Sequence, residues 1–309
     1  MKSKVFDYVI VSTAVTDRIQ WPDRDGVKEV LGGAGIYALC GIHLWTDQAV
    51  LVTGIGEDFS KAHWNWFVQN KCATDGLRIK DAHTAISDIQ YFMSGERIET
   101  PVYGIEQYRK MESNPKDIEP YLHGAKGVYV FKGTDAGFWE EMLEMKKRYG
   151  FKLLWEINSD AAVPNQRENI RAICEQCDAF SINRMEACNL FGVEELSQAR
   201  KAFMQWDEPL IYLRVGGAGA EIIHRGTAVK IPPVTELAVV DPTGAGNSSS
   251  AAVLYGLCCG EAPSVCGLMG SISASICITQ YGPPNFTSDS RTRARWLLDK
   301  MVADGQADA

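Results

Sequence analysis

The sequence predicts an α/β fold: a doubly wound, mostly parallel sheet with helices on both faces, and a small β lid beside it. Three observations predict it. Apolar strands alternate with helical patterns of ten or so residues through the second half, the mark of crossover units and a covered parallel sheet. Glycine clusters at 32–35, 54–56, 216–219 and 244–246 follow predicted strands or loops, at the level where open α/β sheets bind ligands. The chain has 309 residues, 46% of them hydrophobic and 23% charged, which excludes disordered and collagen-like architectures and allows a large core.

Taken in order, the chain opens with an apolar strand, Val5 to Val11, and a polar, turn-rich piece containing Trp21, Pro22, Asp23 and Asp25. LGGAG then opens a helical run from Ile36 to Trp45. A strand over Val50–Thr53 runs into Gly54 and Gly56, and a helix follows over Asp58–Gln69. Polar, strand-rich sequence fills Gly76 to Arg109. Strands are predicted at Gly127–Phe131, Lys152–Glu156, Ala179–Ile182 and Pro209–Arg214, with helices at Ala136–Tyr149, Gln166–Glu175 and Glu194–Trp206 between them. Ala220–His224, Thr227–Ile231 and Leu237–Val240 read as three short strands, and DPTGAGN opens a long helical region. The large α/β domain is therefore assigned to 1–11, 32–83 and 113–309, and a discontinuous β-rich lid to 12–31 and 84–112.

With 31 basic against 39 acidic residues, the formal charge is −8. That argues against a protein that coats nucleic acid or an anionic membrane, but not against phosphate ligands, which local backbone donors can hold. The apolar run Val265–Thr279 is too short to span a bilayer and is broken by Ser271, Ser273 and Ser275. The N-terminal stretch is interrupted by Asp7 and Asp17 and reads as no export signal, so a cytoplasmic protein is expected. Nine cysteines, an odd number, suggest small buried hydrophobes rather than disulfides. Cys174 and Cys177 lack the second pair that a structural zinc site would need.

Asp241-Pro242-Thr243-Gly244-Ala245-Gly246-Asn247 lies between an apolar run and the helix former AAVLYGL. Its two glycines around an alanine allow the N–H groups of 244–246 to converge on an anion at a helix N-terminus. A plain turn needing positive φ is the other local reading.

This stretch resembles the C-terminal signature of the ribokinase/PfkB-like carbohydrate kinases, D-T/P-x-G-A-G-D. Gly32-Gly33-Ala34-Gly35 is similar to that family's di-glycine sugar-binding turn, and LVTGIGEDF, with Gly54, Gly56 and Asp58, to its next segment. Asn183-Arg184-Met185-Glu186 resembles the N-x-x-E element, and Arg214-Val215-Gly216-Gly217-Ala218-Gly219 the nucleotide loop T-x-G-x-x-G. All five occur in the family order. The resemblance implies a ribokinase-like fold and phosphorylation of a sugar-like alcohol, dependent on ATP and Mg²⁺. Asp17, Gly32, Gly33, Tyr37 and Asp241 would hold the acceptor, and Gly244, Ala245 and Gly246 the transferring phosphoryl group. Asn183, Arg214, Gly216 and Gly219 would hold the nucleotide, and Glu186 the Mg²⁺. A monovalent cation is a further ligand this reading allows, and unpaired lid edges allow a homodimer.

Several of these residues also have plainer readings. Asp17 could be a turn aspartate, Glu186 a helix-start glutamate favoured by the dipole, and Tyr37 a core side chain where the family commonly has asparagine. Arg97 could reach an anionic substrate or pair with Glu96 or Glu99, and of these readings and a solvated face the last is expected; His224 is expected to be structural. The largest departure is Asn247, at the position of the family's proton-accepting aspartate. An amide accepts no proton near neutral pH, and loss of a general base typically slows a reaction about 10²–10⁴-fold. Turnover is therefore expected to be weak, or removed by nature or by design. The alternatives are a catalytically silent ligand-binding or regulatory protein, and an enzyme acting without ATP, with Ser248 near the anion site in a new role.

Overall fold

A computed structural model describes residues 4–23, 25–93, 97–206 and 209–306. In chain order come β1 (Tyr8–Val11), β2 (Val15–Gln20), β3 (Lys28–Gly32), α1 (Ala34–His43), β4 (Ala49–Gly56), α2 (Lys61–Gln69) and β5 (Leu77–Asp81). Next are β6 (Ile86–Tyr91), β7 (Arg97–Pro101), α3 (Gly104–Met111), α4 (Pro115–Ile118), β8 (Gly127–Lys132), α5 (Ala136–Tyr149) and β9 (Lys152–Ile157). Then follow α6 (Arg167–Cys174), β10 (Ala179–Asn183), α7 (Arg184–Phe191), α8 (Leu196–Phe203) and β11 (Leu210–Arg214). The chain ends with β12 (Ala220–His224), β13 (Thr227–Ile231), α9 (Ala245–Cys259), α10 (Pro263–Cys277) and α11 (Ser288–Ala303).

Among the described residues the large sheet has nine strands in the order β13-β12-β11-β10-β9-β8-β1-β4-β5. Its pairings are parallel from β5 to β11 and antiparallel at β12 and β13. Side chains alternate strictly across it, as a period of two demands. Tyr8 and Ile10 face the core under α1, α9, α10 and α11, whereas Val9 and Val11 face the core under α5, α6, α7 and α8. Both faces are covered, so the strands carry near-continuous apolar sequence.

The same alternation positions chemistry. On β9, Leu153, Trp155 and Ile157 enter one core, which turns Leu154 and Glu156 toward α9. Tyr129 on β8 and Tyr212 on β11 face the same way, and Arg214 follows Tyr212 by two positions. Three parallel strands thus present a phenol, a carboxylate and a guanidinium beneath the start of one helix, the last two from their C-terminal ends.

A second sheet has the order β3-β2-β6-β7, with β2 and β6 parallel and the outer pairs antiparallel. Two expectations need correction. Gly104–Met111 is a helix, because Ile105, Tyr108 and Met111 recur at helical spacing; Tyr108 and Met111 pack with Val15 and Ala85. Leu237–Val240 is irregular: Pro232 and Pro233 interrupt the chain after β13, and the N–H groups of Val240 and Asp241 turn to the Ile278 carbonyl at 2.8 and 3.2 Å. All nine cysteines are free, Cys174 and Cys177 included. Among the described residues no helix is long and apolar enough to cross a membrane.

Helices α1 and α9 approach so closely that a Cβ on Gly41 would lie 2.0 Å from the Ser248 carbonyl oxygen. Gly41→Ala therefore sets about 1 kcal/mol of helix propensity against overpacking of about 1–3 kcal/mol. Net destabilisation is expected in chemical denaturation; an unchanged or raised midpoint would show that the α1–α9 spacing is slack.

Candidate active site

The close approach brings two glycine turns face to face. Gly33 caps α1 at φ 93° and Gly244 caps α9 at φ 80°, a region costly for any residue with a Cβ. The ring of Tyr37 lies against Gly244, where an added Cβ would sit 2.0 Å from Cγ. Tyr37 is buried and its hydroxyl has no hydrogen-bond partner; burial, then the nearby Asp17, holds the phenol well above its ordinary pKa.

Asp17, Gly33, Tyr37, Gly244 and Asn247 line one cavity of about 90 Å³. Four of its lining residues, Arg97, Glu99, Tyr108 and Phe131, also line an outer cleft of about 860 Å³. The site is thus two-chambered, with two aromatic rings and one opposite-charge pair where the chambers meet. Asp17 is 2% exposed and lies directly against Gly32. Burial, then repulsion from Glu99, pushes its carboxyl up to about 8, against the pull of Arg97 and a hydrogen bond from the Gly33 N–H.

Arg97 is exposed, as expected, and it also lines both chambers, with its Nη1 donating to the Tyr91 hydroxyl at 3.3 Å. Glu96, its other expected neighbour, lies outside the described residues. Tyr91 stacks on Trp21 with ring centroids 3.9 Å apart and meets the Thr243 hydroxyl at 2.8 Å. Thr243 in turn donates its hydroxyl and N–H to Asp241 Oδ1, at 2.8 and 3.1 Å. Asp241 is therefore buried behind the cavity wall; its Oδ2 has no partner, and burial raises its carboxyl above the ordinary range.

On the sheet side of the cavity, the Asn247 amide Nδ2 donates to Glu156 Oε1 at 3.0 Å and to the Tyr129 hydroxyl at 3.3 Å. Tyr129 donates to Glu156 Oε2 at 2.7 Å, so both carboxylate oxygens are engaged. Arg214 places Nη1 3.0 Å from Glu156 Oε1 and Nη2 3.6 Å from Glu186 Oε2. Its guanidinium rests on Gly246, where a Cβ would lie 2.1 Å from Nη1. A charged group this deep needs such partners, since removing one typically costs about 3–5 kcal/mol. Glu186 and Asn183 form a reciprocal capping box at the start of α7, and Glu186 Oε1 also accepts from the Ser159 hydroxyl at 2.8 Å. Burial raises the Glu186 carboxyl, opposed by Arg214.

The structure thus brings together Asp17, Gly32, Gly33, Tyr37, Gly244 and Asn247 on one side, and Gly246, Arg214, Asn183 and Glu186 on the other. Asn247 belongs to both groups. Ala245 is the first residue of α9. Gly216 is exposed on the turn after β11; Gly219 closes that turn against the backbone of β13. Ser248 is fully buried with its hydroxyl on the Ala245 carbonyl, which removes it as a candidate for new chemistry at the cavity. Glu156, Tyr129, Glu99, Tyr108 and Phe131 are site residues that the sequence reading missed. Glu156 carried a signal: a carboxylate inside the buried run KLLWEI must be paired.

Among the described residues no group of three or more His, Cys, Asp or Glu side chains could cage a metal ion. Glu186 is mostly committed to Asn183, Ser159 and Arg214. This donor set fits an ion that arrives hydrated on a nucleotide and meets Glu186 through water, as Mg²⁺ commonly does.

Residues 7–290 match the pfkB family carbohydrate kinase profile, so the chain belongs to that family. A cytidine kinase of Thermococcus kodakarensis is 25% identical, with 92% of this chain and 100% of that protein covered. The adenosine kinase of Sinorhizobium meliloti superposes with a TM-score of 0.77 at 20% identity, over 94% of this chain and 99% of that one. Arabidopsis thaliana ribokinase, solved with ribose and ATP, superposes with a TM-score of 0.73 at 19% identity, over 95% and 99%. The fold is that of the ribokinase-family kinases.

The Asp17 carboxyl gives a prediction with a definite sign. An aspartate titrates near pH ~3.9 in an unfolded chain, whereas Asp17 in the fold titrates at about 8. The folded state holds the proton through that window, so the associated stability is complete below pH ~4 and is lost as pH rises toward about 8. Relative to Asp17→Asn, the unaltered chain should lose up to about 1.4 kcal/mol per pH unit across the window. Denaturation of both chains at acid and at mildly alkaline pH reads this; parallel stability profiles would show that Asp17 stays ionised.

Proposed function

We propose that this protein transfers the γ-phosphoryl group of ATP to a hydroxyl of a sugar-bearing acceptor of the nucleoside class, with low turnover. The observation that carries the reading is the two-chambered cavity. Its inner chamber sets Asp17 and the α1 turn opposite the α9 turn and Asn247. It joins the outer cleft beside Tyr108 and Phe131. A sugar fits the hydroxyl-binding chemistry of the inner chamber, and a base fits the aromatic walls of the outer one. The names of two relatives, a cytidine kinase and an adenosine kinase, support that class. The ribokinase solved with ATP supports the donor.

In this reading the buried Asp17 carboxyl exchanges hydrogen bonds with acceptor hydroxyls and fixes the ring. The N–H groups at the start of α9, with Arg214 beside Gly246, meet the charge that develops on the transferring group. Mg²⁺ bound with the nucleotide would neutralise phosphate charge near Glu186. The unpartnered Oδ2 of Asp241 is the oxygen that a monovalent cation would take. Asn247 offers its Oδ1 to the acceptor hydroxyl but takes no proton, which sets the low rate. A second reading, a ligand-binding protein without turnover, is favoured by the same amide, which can hydrogen-bond an acceptor in the cavity it lines but takes no proton from it.

ATP consumption over a panel of nucleosides and free sugars tests the proposal, with product identified by mass. Slow turnover on a nucleoside is expected, and affinity without product would select the second reading. Asp17→Asn should weaken acceptor binding about tenfold, as loss of a hydrogen-bond partner does, and leave ATP affinity unchanged in calorimetry. Failure of the unaltered protein to bind ATP in the presence of Mg²⁺ would sink both readings.

A further inference from the structure

At position 247 this chain carries an amide, and the structure gives a local reason for it. Asn247 Nδ2 sits 3.0 Å from Glu156 Oε1. That contact needs a donor on one side, and a carboxylate at 247 has none when ionised. Glu156 cannot turn away: its Oε2 is held by Tyr129 and its Oε1 by Arg214, and it is 1% exposed. The single guanidinium of Arg214 already answers two buried carboxylates, Glu156 and Glu186. A third would be uncompensated.

We propose that Glu156 and Asn247 are an interlocked pair: Glu156 is a positioning residue that turns the Asn247 amide, leaving Oδ1 to the acceptor cavity, and excludes a carboxylate from position 247. The family's aspartate therefore cannot be restored at 247 alone. It becomes compatible only when position 156 gives up its charge, as in Glu156→Gln, where the glutamine amide becomes the donor and the new aspartate the acceptor. The exchange keeps the number of buried carboxylates and nearly the same volume; Arg214 Nη1, which meets Glu156 Oε1 in the unaltered chain, loses that acceptor and turns to the new aspartate.

Position 247 meets Tyr129 from β8 and Glu156 from β9, with Arg214 from β11 behind Glu156, and it shares the cavity with Tyr37 from α1 and Tyr108 from α3. Asp17, Arg97 and Glu99 face it across the cavity. Like charges at hydrogen-bond distance disfavour ionisation of one of them. In Asn247→Asp the folded state should therefore retain a proton that the unfolded chain has lost.

The test is a double-mutant cycle on the full chain without added divalent ions: the unaltered protein, N247D, E156Q and E156Q/N247D. Denaturant stability is measured from acid to mildly alkaline pH. Relative to the unaltered protein, the folding equilibrium constant of N247D should fall about tenfold per pH unit above the aspartate's ordinary pKa. E156Q/N247D should lose that added slope. If N247D does not fold at neutral pH, the double variant should fold there; a double variant that also fails overturns the pairing. Parallel pH profiles for N247D and the unaltered protein overturn it as well.

A second readout rests on the phosphotransferase reading above. With ATP, Mg²⁺ and the nucleoside panel, E156Q/N247D should turn over faster than the unaltered chain and than N247D, with a rate that rises with pH through an ordinary carboxylate pKa. Comparable turnover by N247D alone, with that ordinary pH profile, overturns the proposal. If none of the four consumes ATP, the kinase reading fails, while the stability cycle still decides the pair.

Discussion

The site depends on one close contact between helices. Gly41 in α1 and the backbone at Ser248 in α9 leave no room for a side chain between them. Ser248, Ser249 and Ser250 are all buried and return their hydroxyls to the first turn of their own helix, so this stretch stays narrow without leaving polar atoms unsatisfied. Because the helices touch there, their N-terminal turns converge at Gly33 and Gly244, and Tyr37 fills the remaining gap. A bulkier residue at either contact would separate the Gly33 turn from the Gly244 turn, although the two lie more than 200 positions apart in the chain.

The second constraint is charge. Parallel strands direct the side chains at their C-terminal ends toward the helix starts above them, which is why open α/β sheets bind ligands there. In this chain three such strands deliver Tyr129, Glu156 and Arg214 to the same spot under α9. Each group is tolerable only because the others are present: guanidinium against two carboxylates, phenol and amide against the remaining lone pairs. Asn247 is part of that balance as well as part of the cavity wall.

Most of the architecture was legible from strand–helix alternation and from the glycine clusters, because both report backbone needs that few other residues meet. Glycines at 33 and 244 announce positive φ, and Asn183 with Glu186 announces a capping box. The short span Gly104–Met111 was less legible, since eight residues with one buried face resemble a polar strand as easily as a helix. Glu156 and Tyr129 were hidden for another reason. Their partners come from distant strands, so no local spacing marks them; only a charge inside an apolar run hints that something must answer it. The place of Arg97 beside the cavity was not legible, because an exposed strand residue gains it only from where the second sheet sits.

The lid adds a link that neither sheet shows alone. Tyr91 joins Thr243 at 2.8 Å, and Thr243 is bound to Asp241, at the base of the α9 turn. Arg97, from the neighbouring lid strand, reaches the same tyrosine and the cavity. The hydrogen bonds that tie the second sheet to the large domain are therefore continuous with those that hold the turn before α9. The Tyr91–Thr243–Asp241 bonds and the Glu156–Asn247–Arg214 group thus use different side chains, and they come together at the cavity that Arg97, Thr243 and Asn247 line.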